Sequence, residues 1–528
     1  MERIGGLTYR NRMGGVRGRA SGHVTVKLLR PQPVSVNPAV VRRRSAVLPG
    51  RSRLTSERAT LGDWWSEKSA EVEVAVHEDG EGPNERERET AVIFGGAMPQ
   101  DEEAPTAGHG SVRSGTSRLM EEVVQRDNLK AALWRVRQNR GSPGIDGMTT
   151  EELLPYLRVH WTRLRGELLA GTYRPQPVRR CEIPKKGGGL RGLGISTALD
   201  RFIQQAILQV LQPRFDPTFS EHSYGFRPGR SARQAIAKAQ RYVEEGRRYV
   251  VDADLEKFFD RVNHDVLMGR LVKRIEDKRM LRLIRSYLEA GVMSHGVVIE
   301  RHEGTPQGGP LSPLLANVLL DEVDRELEKR GHAFVRYADD CNVYVRSPRA
   351  GERVMAFLQK RYARLHLKIN EGKSAVARVI TREFLGIAFW RGPGGKLRRR
   401  VAEKALKAMQ DRVREITGRS QGRSVGQVVG ELRCYLRGWH AYFRMAETPT
   451  VFRRLDEWIR HRLRQLYLKQ WNRGPTIYRE LRARGASDHL ARSVAFGAKR
   501  WWHHASLSIH RVLTNAHFDQ LGVPRLAS

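Results

Sequence analysis

The chain has little cysteine and no long apolar segment. Its 528 residues include three cysteines, which lie far apart and never form a CxxC pair. This usage excludes a disulfide framework or a cysteine-rich zinc site and fits a reducing compartment. No apolar run approaches the ~18 residues of a membrane span, and the basic N-terminus lacks the apolar core of a signal peptide. We therefore expect a cytoplasmic protein with no membrane partner, associated with the nucleoid when it is bound to DNA.

Acidic residues are also in short supply. The sequence has 94 Lys and Arg against 58 Asp and Glu, a formal net charge of +36. A chain this basic repels itself unless a polyanion neutralises it, so nucleic acid is the expected partner. An anionic membrane or a merely basic surface are the alternatives. The length leaves room for roughly two to four domains.

Residues 1–115 differ in composition from the rest of the chain. Residues 1–58 are basic, with Glu2 and Glu57 as the only acids, whereas 63–103 are mostly acidic. Neither stretch has a sustained helical or strand period, which is typical of a disordered extension. The basic block could bind nucleic acid, although a solvated tail is the preferred interpretation.

From about residue 116 the apolar spacing predicts alternating helices and short strands. The predicted helices cover 119–136, 153–169, 203–211, 265–288 and 313–330. A β-rich stretch at 248–255 and a hairpin at 334–345 complete an α/β layer structure. Beyond about residue 400 the chain becomes almost wholly helical and very basic, which predicts a separate domain.

Two acidic stretches carry the candidate chemistry. Asp339 and Asp340 lie at the tip of the predicted hairpin, where they form either an ordinary turn or a pair suited to Mg²⁺. Asp252 and Asp254 share one face of an apolar strand, where unpaired carboxylates are costly. Carboxylates on two adjacent strands are what two-metal nucleotidyl transfer requires.

The motifs around these acids resemble a known family. Residues 337–340 resemble the YxDD box of reverse transcriptases, and residues 128–443 resemble the reverse transcriptase–maturase proteins of bacterial group II introns. The other motifs that follow the family's order lie at 139–147, 183–195, 223–230 and 304–313.

The resemblance implies a right-hand polymerase of the α/β (α+β) class. Fingers and palm, with the catalytic β-hairpin, would occupy 116–395. An all-α thumb, the maturase X domain, would occupy 396–446, and a basic helical D domain that binds DNA would occupy 447–528.

The resemblance also implies a metal site. Asp254, Asp339 and Asp340 would together bind two Mg²⁺ ions, for which Mn²⁺ could substitute. Asp252 is the chief rival to Asp254. We favour Asp254 because only this residue has the family's Asp-x-x-x-Phe-Phe spacing to Phe259.

Five residues are implied to meet the incoming dNTP. Lys185 and Arg191 would contact the triphosphate, and Phe259 would lie under the sugar and exclude a 2′-hydroxyl. Gln307 would approach the nucleotide and the template, and Lys373 would protonate the leaving pyrophosphate. Without the motifs, the cations would be interpreted as solvated surface groups and Phe259 as a core aromatic.

The basic C-terminal part supplies two further likenesses. Residues 435–443 resemble the signature of the X domain, and we expect their aromatic rings to be core rather than stacking platforms. The Arg- and Trp-rich region from 447 resembles the D domain. No paired cysteines of an HNH endonuclease follow, so the sequence resembles the endonuclease-lacking group IIC type. The extension before Arg118 has no counterpart that we can match in the family.

The function implied is an RNA-directed DNA polymerase that also assists splicing. Its partners would be dNTPs, an RNA template/DNA primer duplex, the group II intron RNA and the target DNA. One alternative is a retron-like, diversity-generating or defence-associated reverse transcriptase, against which the segment at 435–443 argues. Another is a non-catalytic RNA-binding splicing factor, against which the complete set of three aspartates argues.

Overall fold

A computed structural model describes residues 116–184, 190–294, 297–418, 422–497, 503–505 and 509–527. The predicted extension, 1–115, lies outside these residues. Within the described ranges, no helix is both long and apolar enough to cross a membrane.

The N-terminal and central part alternates helices with strands. Its helices are α1 (Leu119–Val123), α2 (Arg126–Gln138), α3 (Leu153–Ala170), α4 (Ala198–Phe215), α5 (Ala232–Glu244), α6 (His264–Leu271), α7 (Lys278–Glu289), α8 (Ser312–Lys329) and α9 (Pro348–Arg364). Its strands are β1 (Val178–Pro184), β2 (Leu190–Ile195), β3 (Tyr249–Ala253), β4 (Val292–Ser294), β5 (Val297–Ile299), β6 (Ala333–Tyr337), β7 (Asp340–Val345), β8 (Ala375–Arg378), β9 (Glu383–Phe384), β10 (Ile387–Arg391) and β11 (Leu397–Val401). The predicted α/β (α+β) class is confirmed, and the hairpin and the long helix at 312–329 lie where the sequence placed them.

Two predicted helices are each divided in two. The stretch 119–136 breaks at Gln125, whose extended backbone (ψ 141°) begins α2. The stretch 265–288 breaks before Asp277, whose carboxylate accepts the backbone N–H groups of Arg279 and Met280 and so caps α7. The same carboxylate accepts the N–H of Met120, at 3.0 Å, and ties α1 to this helix end. A capping aspartate therefore outweighs the continuous apolar pattern.

The strands form three sheets. The order β2-β1-β4-β5 makes one four-stranded sheet, β6-β7-β3-β8 makes another, and β11-β10-β9 makes a small third sheet. In the second sheet β3 lies between β7 and β8 and pairs with both in antiparallel fashion. The candidate acidic residues belong to this second sheet, which we call the palm sheet.

The palm sheet is covered on both faces, which explains why its strands read as nearly continuous apolar runs. Val251 and Val343 point into one apolar cluster, together with helices α4, α8 and α9. Val250 and Tyr344 point into a second cluster on the opposite face. Because side chains alternate along a strand, Asp252 belongs to the same face as Val250.

The C-terminal part is helical after β11, as predicted. Its described helices are α10 (Glu403–Ile416), α11 (Val425–Phe443), α12 (Pro449–Trp471), α13 (Gly474–Ala483), α14 (Asp488–Phe496) and α15 (Asn515–Gln520). Leu432, Leu463 and Phe518 lie in the second apolar cluster with Val250 and Tyr344, so the helical part shares its core with the palm sheet. This cluster runs across the predicted boundary between 446 and 447, which stays a prediction.

The aromatic side chains of the segment 435–443 are mainly core residues. Trp439 and Phe443 are buried, with ring centroids 4.8 Å apart, and Trp439 also packs edge-on against Phe452. The predicted core role is therefore confirmed for these rings. Trp501 and Trp502, singled out in the region after 447, lie outside the described residues.

A buried ion pair holds the hairpin to helix α8. The Arg336 guanidinium donates to both carboxylate oxygens of Asp324, with Nε–Oδ1 at 2.8 Å and Nη2–Oδ2 at 2.6 Å. Both side chains are almost fully inaccessible to solvent. Burial lowers the pKa of Arg336, but the Asp324 carboxylate outweighs this and holds that pKa above its usual value. Arg336 is therefore charged, and this buried charge requires Asp324 as its counter-ion.

We expect Asp324→Asn to lower the free energy of unfolding by about 3–5 kcal/mol, because it leaves the buried Arg336 charge without its counter-ion. Urea denaturation followed by tryptophan fluorescence measures the change. The matched control is Glu289→Gln, which breaks the exposed Arg285–Glu289 pair and should change the unfolding free energy by about 0.5 kcal/mol or less. Similar losses for the two variants would contradict the assigned role of the pair.

Candidate active site

Asp339 lies in the two-residue turn between β6 and β7, and Asp340 opens β7. Tyr337 pairs with Asp340 across the hairpin, and Ala338 has a positive φ of 57°. Positive φ at an alanine costs of order 1 kcal/mol or more and persists where the surroundings enforce it. Here Arg336 Nη1 donates to the Ala338 carbonyl at 2.9 Å. Asp339 is half-buried and Asp340 exposed, so both carboxylates are accessible at the tip.

The motif at 223–230 packs against this turn. An added Cβ at Gly225 would lie 2.2 Å from the backbone nitrogen of Ala338, so only glycine permits the approach. The Gly225 carbonyl accepts from Asn317 Nδ2 at 3.0 Å, and Asn317 Oδ1 accepts from Arg336 at 2.9 Å. The loop, helix α8 and the hairpin are thus linked through one amide side chain.

The register of the palm sheet brings Asp254 to the hairpin tip. Ala253 pairs with Cys341, so the next position along each strand sets Asp254 beside Asp340. Asp254 Oδ2 is buried and makes no hydrogen bond with the described residues, although Lys373 Nζ lies 3.2 Å away. Lys373 itself is largely exposed, so its ammonium group reaches the acid from the solvent side.

Asp252, the rival candidate, already forms an ion pair with Arg382. Arg382 Nε donates to Asp252 Oδ2 at 2.9 Å, and a second N–H of the same guanidinium donates to the same oxygen. Burial raises the pKa of Asp252, and the contact with Arg382 offsets this only in part. This ion pair engages Asp252, whereas Asp254 Oδ2 makes no hydrogen bond with the described residues. The choice of Asp254 over Asp252 as the metal-binding acid stays a prediction.

Phe259 and the loop at 304–313 lie side by side. The Phe259 carbonyl accepts from Thr305 N at 2.7 Å, and an added Cβ at Gly304 would lie 3.0 Å from that carbonyl oxygen. The Phe259 ring packs edge-on against Phe258 and against the first apolar cluster, and it remains partly exposed. The exposed part of this ring is available to a ligand.

Gln307 connects the loop to the first sheet. Its carbonyl accepts from Gly194 N at 3.0 Å. Its side-chain Oε1 is buried and has no hydrogen-bond partner among the described residues. An unpaired buried acceptor is rare in proteins and fits a ligand-binding role.

Two predicted site residues, Lys185 and Arg191, remain outside this geometry. Lys185 lies outside the described residues. The backbone of Arg191 on β2 pairs with that of Ile183 on β1. The side chain of Arg191 is not among the described parts of the structure. The roles assigned to both residues stay predictions.

The chemical type of the donor atoms fits a divalent cation, but the spacing of their side chains does not. Within the part of the chain that the structure describes, no three acidic, histidine or cysteine side chains lie close enough together to hold a metal ion. The buried Oδ2 of Asp254 has no hydrogen-bond donor, and carboxylate oxygens are the ligands that Mg²⁺ prefers. Side-chain rotation of Asp339 and Asp340 at the accessible tip would be needed to complete the site.

Several supporting residues were not foreseen from the sequence. Arg336 and Asn317 fix the turn, Ser374 binds the backbone of Asp254, and Arg382 occupies Asp252. Arg336 lies within the predicted hairpin, and Ser374 directly follows the predicted site residue Lys373. No spacing rule connects Arg382 with Asp252, because they are 130 residues apart.

Two family models match parts of the chain. Residues 183–389 match the family described as reverse transcriptase (RNA-dependent DNA polymerase). Residues 406–485 match the group II intron, maturase-specific domain.

Individual proteins are similar over part of the chain. Protein YkfC of Escherichia coli (strain K12) is 39% identical over 219 residues, which are 40% of this chain and 58% of YkfC. The group II intron-encoded protein LtrA of Lactococcus lactis subsp. cremoris is 36% identical over 217 residues, 40% of this chain and 35% of LtrA. The similarity therefore spans less than two thirds of either relative. A chain of the solved "Partial Cas6-RT-Cas1--Cas2 complex" shares 27% identity over 47% of this chain and 43% of its own, at a TM-score of 0.32, which is too low to support any argument.

Proposed function

We propose that this chain is an RNA-directed DNA polymerase that also binds its intron RNA, because residues 183–389 match the reverse transcriptase family and residues 406–485 match the group II intron maturase-specific domain. It copies RNA into DNA from a primer, with dNTPs as substrates. The observation that carries the proposal is the strand register: Ala253 pairs with Cys341 and Tyr337 with Asp340, so Asp254 follows β3 at the end of the sheet where Asp340 begins β7, within the reverse transcriptase match.

In the proposed site, Asp254, Asp339 and Asp340 would hold two Mg²⁺ ions, with Mn²⁺ as a possible substitute. When bound, the ions activate the primer 3′-hydroxyl and stabilise the leaving pyrophosphate. The half-exposed ring of Phe259 excludes a 2′-hydroxyl and selects dNTPs. Lys373 meets the phosphates from the solvent side and delivers a proton to the leaving group.

The remaining nucleotide contacts come from the loop and the first sheet. The unpaired Oε1 of Gln307 supports its role beside the nucleotide and the template. Lys185 and Arg191 neutralise the triphosphate, where developing negative charge is stabilised by fixed cations.

The maturase role rests on the helical part. Exposed cations on α10 and α11, including Lys407 and Arg437, would contact the phosphates of the intron RNA and so assist splicing by binding. The maturase-specific match favours this reading over a retron-like, diversity-generating or defence-associated enzyme. Target DNA is the further partner during integration, and the helices after 447 are the proposed surface for it.

Primer extension tests the polymerase. On an RNA template with a DNA primer, dNTPs and Mg²⁺, the parent should incorporate nucleotides, and Asp339→Ala should lose at least about a hundredfold in rate because a metal ligand is gone. Asp127→Ala removes a carboxylate that is 96% exposed on α2 and should extend the primer like the parent. Incorporation that survives Asp339→Ala would refute the proposed site.

Splicing of the flanking intron RNA separates the two activities. Asp339→Ala should still promote splicing, because this role requires binding and not polymerisation. The double variant Lys407→Glu/Arg437→Glu should lose roughly tenfold or more in RNA affinity and in splicing, since two phosphate contacts become repulsive. The charge-matched control is Arg353→Glu/Lys360→Glu on the exposed side of α9. Equal losses in the two double variants would contradict a specific role of the thumb.

A further inference from the structure

The segment Asn370–Ser374 is bound to the backbone of Asp254 at both of its ends. Asn370 N donates to the Asp254 carbonyl at 2.8 Å. Asp254 N donates to Ser374 Oγ at 2.9 Å, and that hydroxyl lies 3.3 Å from the Asp254 carbonyl. Lys373 is carried on this segment, so the place of its side chain depends on how the segment is held.

One guanidinium group connects the same segment to the palm sheet. Arg382 donates through Nε to Asp252 Oδ2 at 2.9 Å and through Nη2 to the Lys373 carbonyl at 2.6 Å. Its anchor, Asp252, lies on the central strand β3, two residues before Asp254. Arg382 thus spans the distance between a fixed strand and the main chain of Lys373.

A lysine side chain has a flexible four-carbon stem, so its ammonium group is positioned only as well as its backbone is fixed. Two of the three attachments of the segment reach Asp254, and the third, through Arg382, acts on the Lys373 carbonyl itself. The charge-assisted bonds to Asp252 make this third attachment strong and directional. An exposed lysine held only at the ends of its loop would lack that restraint.

We infer that Arg382 is a positioning residue. It is anchored on Asp252 and fixes the main chain of Lys373. The ammonium group of Lys373 therefore lies beside Asp254, where it contacts the phosphates of the nucleotide. The inference rests on the proposed function. It also gives Asp252 a task distinct from that of Asp254, namely to anchor Arg382.

A double-mutant cycle tests the inference. Single-turnover dNTP incorporation on an RNA template with a DNA primer is measured for the parent, Arg382→Ala, Lys373→Ala and the double variant. Arg382→Ala should slow incorporation roughly 10- to 100-fold, because small misplacements of a reacting group have effects of that size. In the Lys373→Ala background the same substitution should change the rate less than about twofold, because residues that act through one another are not additive.

Arg378→Ala is the control, because it removes the same charge from an exposed position on neighbouring β8. It should retain the parent rate within about twofold in both backgrounds. A merely structural role of Arg382 would slow both backgrounds equally, and that additivity would overturn the inference. Unchanged rates in Arg382→Ala, or in Lys373→Ala, would overturn it as well.

If thermal melting shows that Arg382→Ala is unfolded, the same double-mutant cycle is measured with Asp252→Asn in its place. It keeps the side-chain size, weakens the anchor and must show the same dependence on Lys373, otherwise the inference is wrong. A parent that does not incorporate dNTPs, or an Asp339→Ala variant that does, refutes the proposed function itself. An active parent with an additive cycle refutes only the role of Arg382.

Discussion

The geometry of the candidate site depends on the buried guanidinium of Arg336. Its hydrogen bonds reach Asp324 on helix α8, the amide oxygen of Asn317 two turns earlier on the same helix, and the carbonyl of Ala338 in the turn. A buried ion pair contributes little net stability compared with apolar residues of the same size, because both charges must be desolvated. Its main effect is on the geometry of the turn. The hydrogen bond from Arg336 holds Ala338 in a left-handed conformation and so fixes where the next two residues, Asp339 and Asp340, leave the turn.

A second constraint divides Asp252, on strand β3, and Asp254, directly after it, between two tasks. Carboxylates without partners would be costly in so apolar a stretch. Asp252 receives Arg382, whereas Asp254 keeps a buried oxygen without a hydrogen bond at the end of the strand. One carboxylate therefore belongs to the scaffold and the other is available for chemistry. The distinction arises from a residue 130 positions downstream.

Much of this organisation was predictable from local sequence. The runs of apolar β-forming residues predicted β3 and the hairpin, and the apolar run after Pro313 predicted α8, because the physical signals for these elements lie within a few residues. The divisions of the first helix at Gln125 and of the other at Asp277 were missed. At Asp277 a capping carboxylate outweighs the apolar period, whereas at Gln125 the backbone turns extended without a side-chain cap.

Long-range pairing was beyond the reach of such patterns. Nothing in a window of ten or twenty residues relates Arg382 to Asp252, or Gly225 to the backbone of Ala338. The sequence predicted a separate C-terminal domain because the helices there are amphipathic. In the structure, the apolar faces of these helices cover one side of the palm sheet, and only the folded chain shows that contact.

The central claim is that Asp254, and not Asp252, holds the metal ion with the hairpin acids. Binding of Mn²⁺ can be followed by electron paramagnetic resonance in the presence of a primer–template duplex and a non-hydrolysable dNTP analogue. The account predicts that Asp254→Asn abolishes high-affinity binding, whereas Asp252→Asn retains it. Loss of binding in Asp252→Asn with retention in Asp254→Asn would contradict the account.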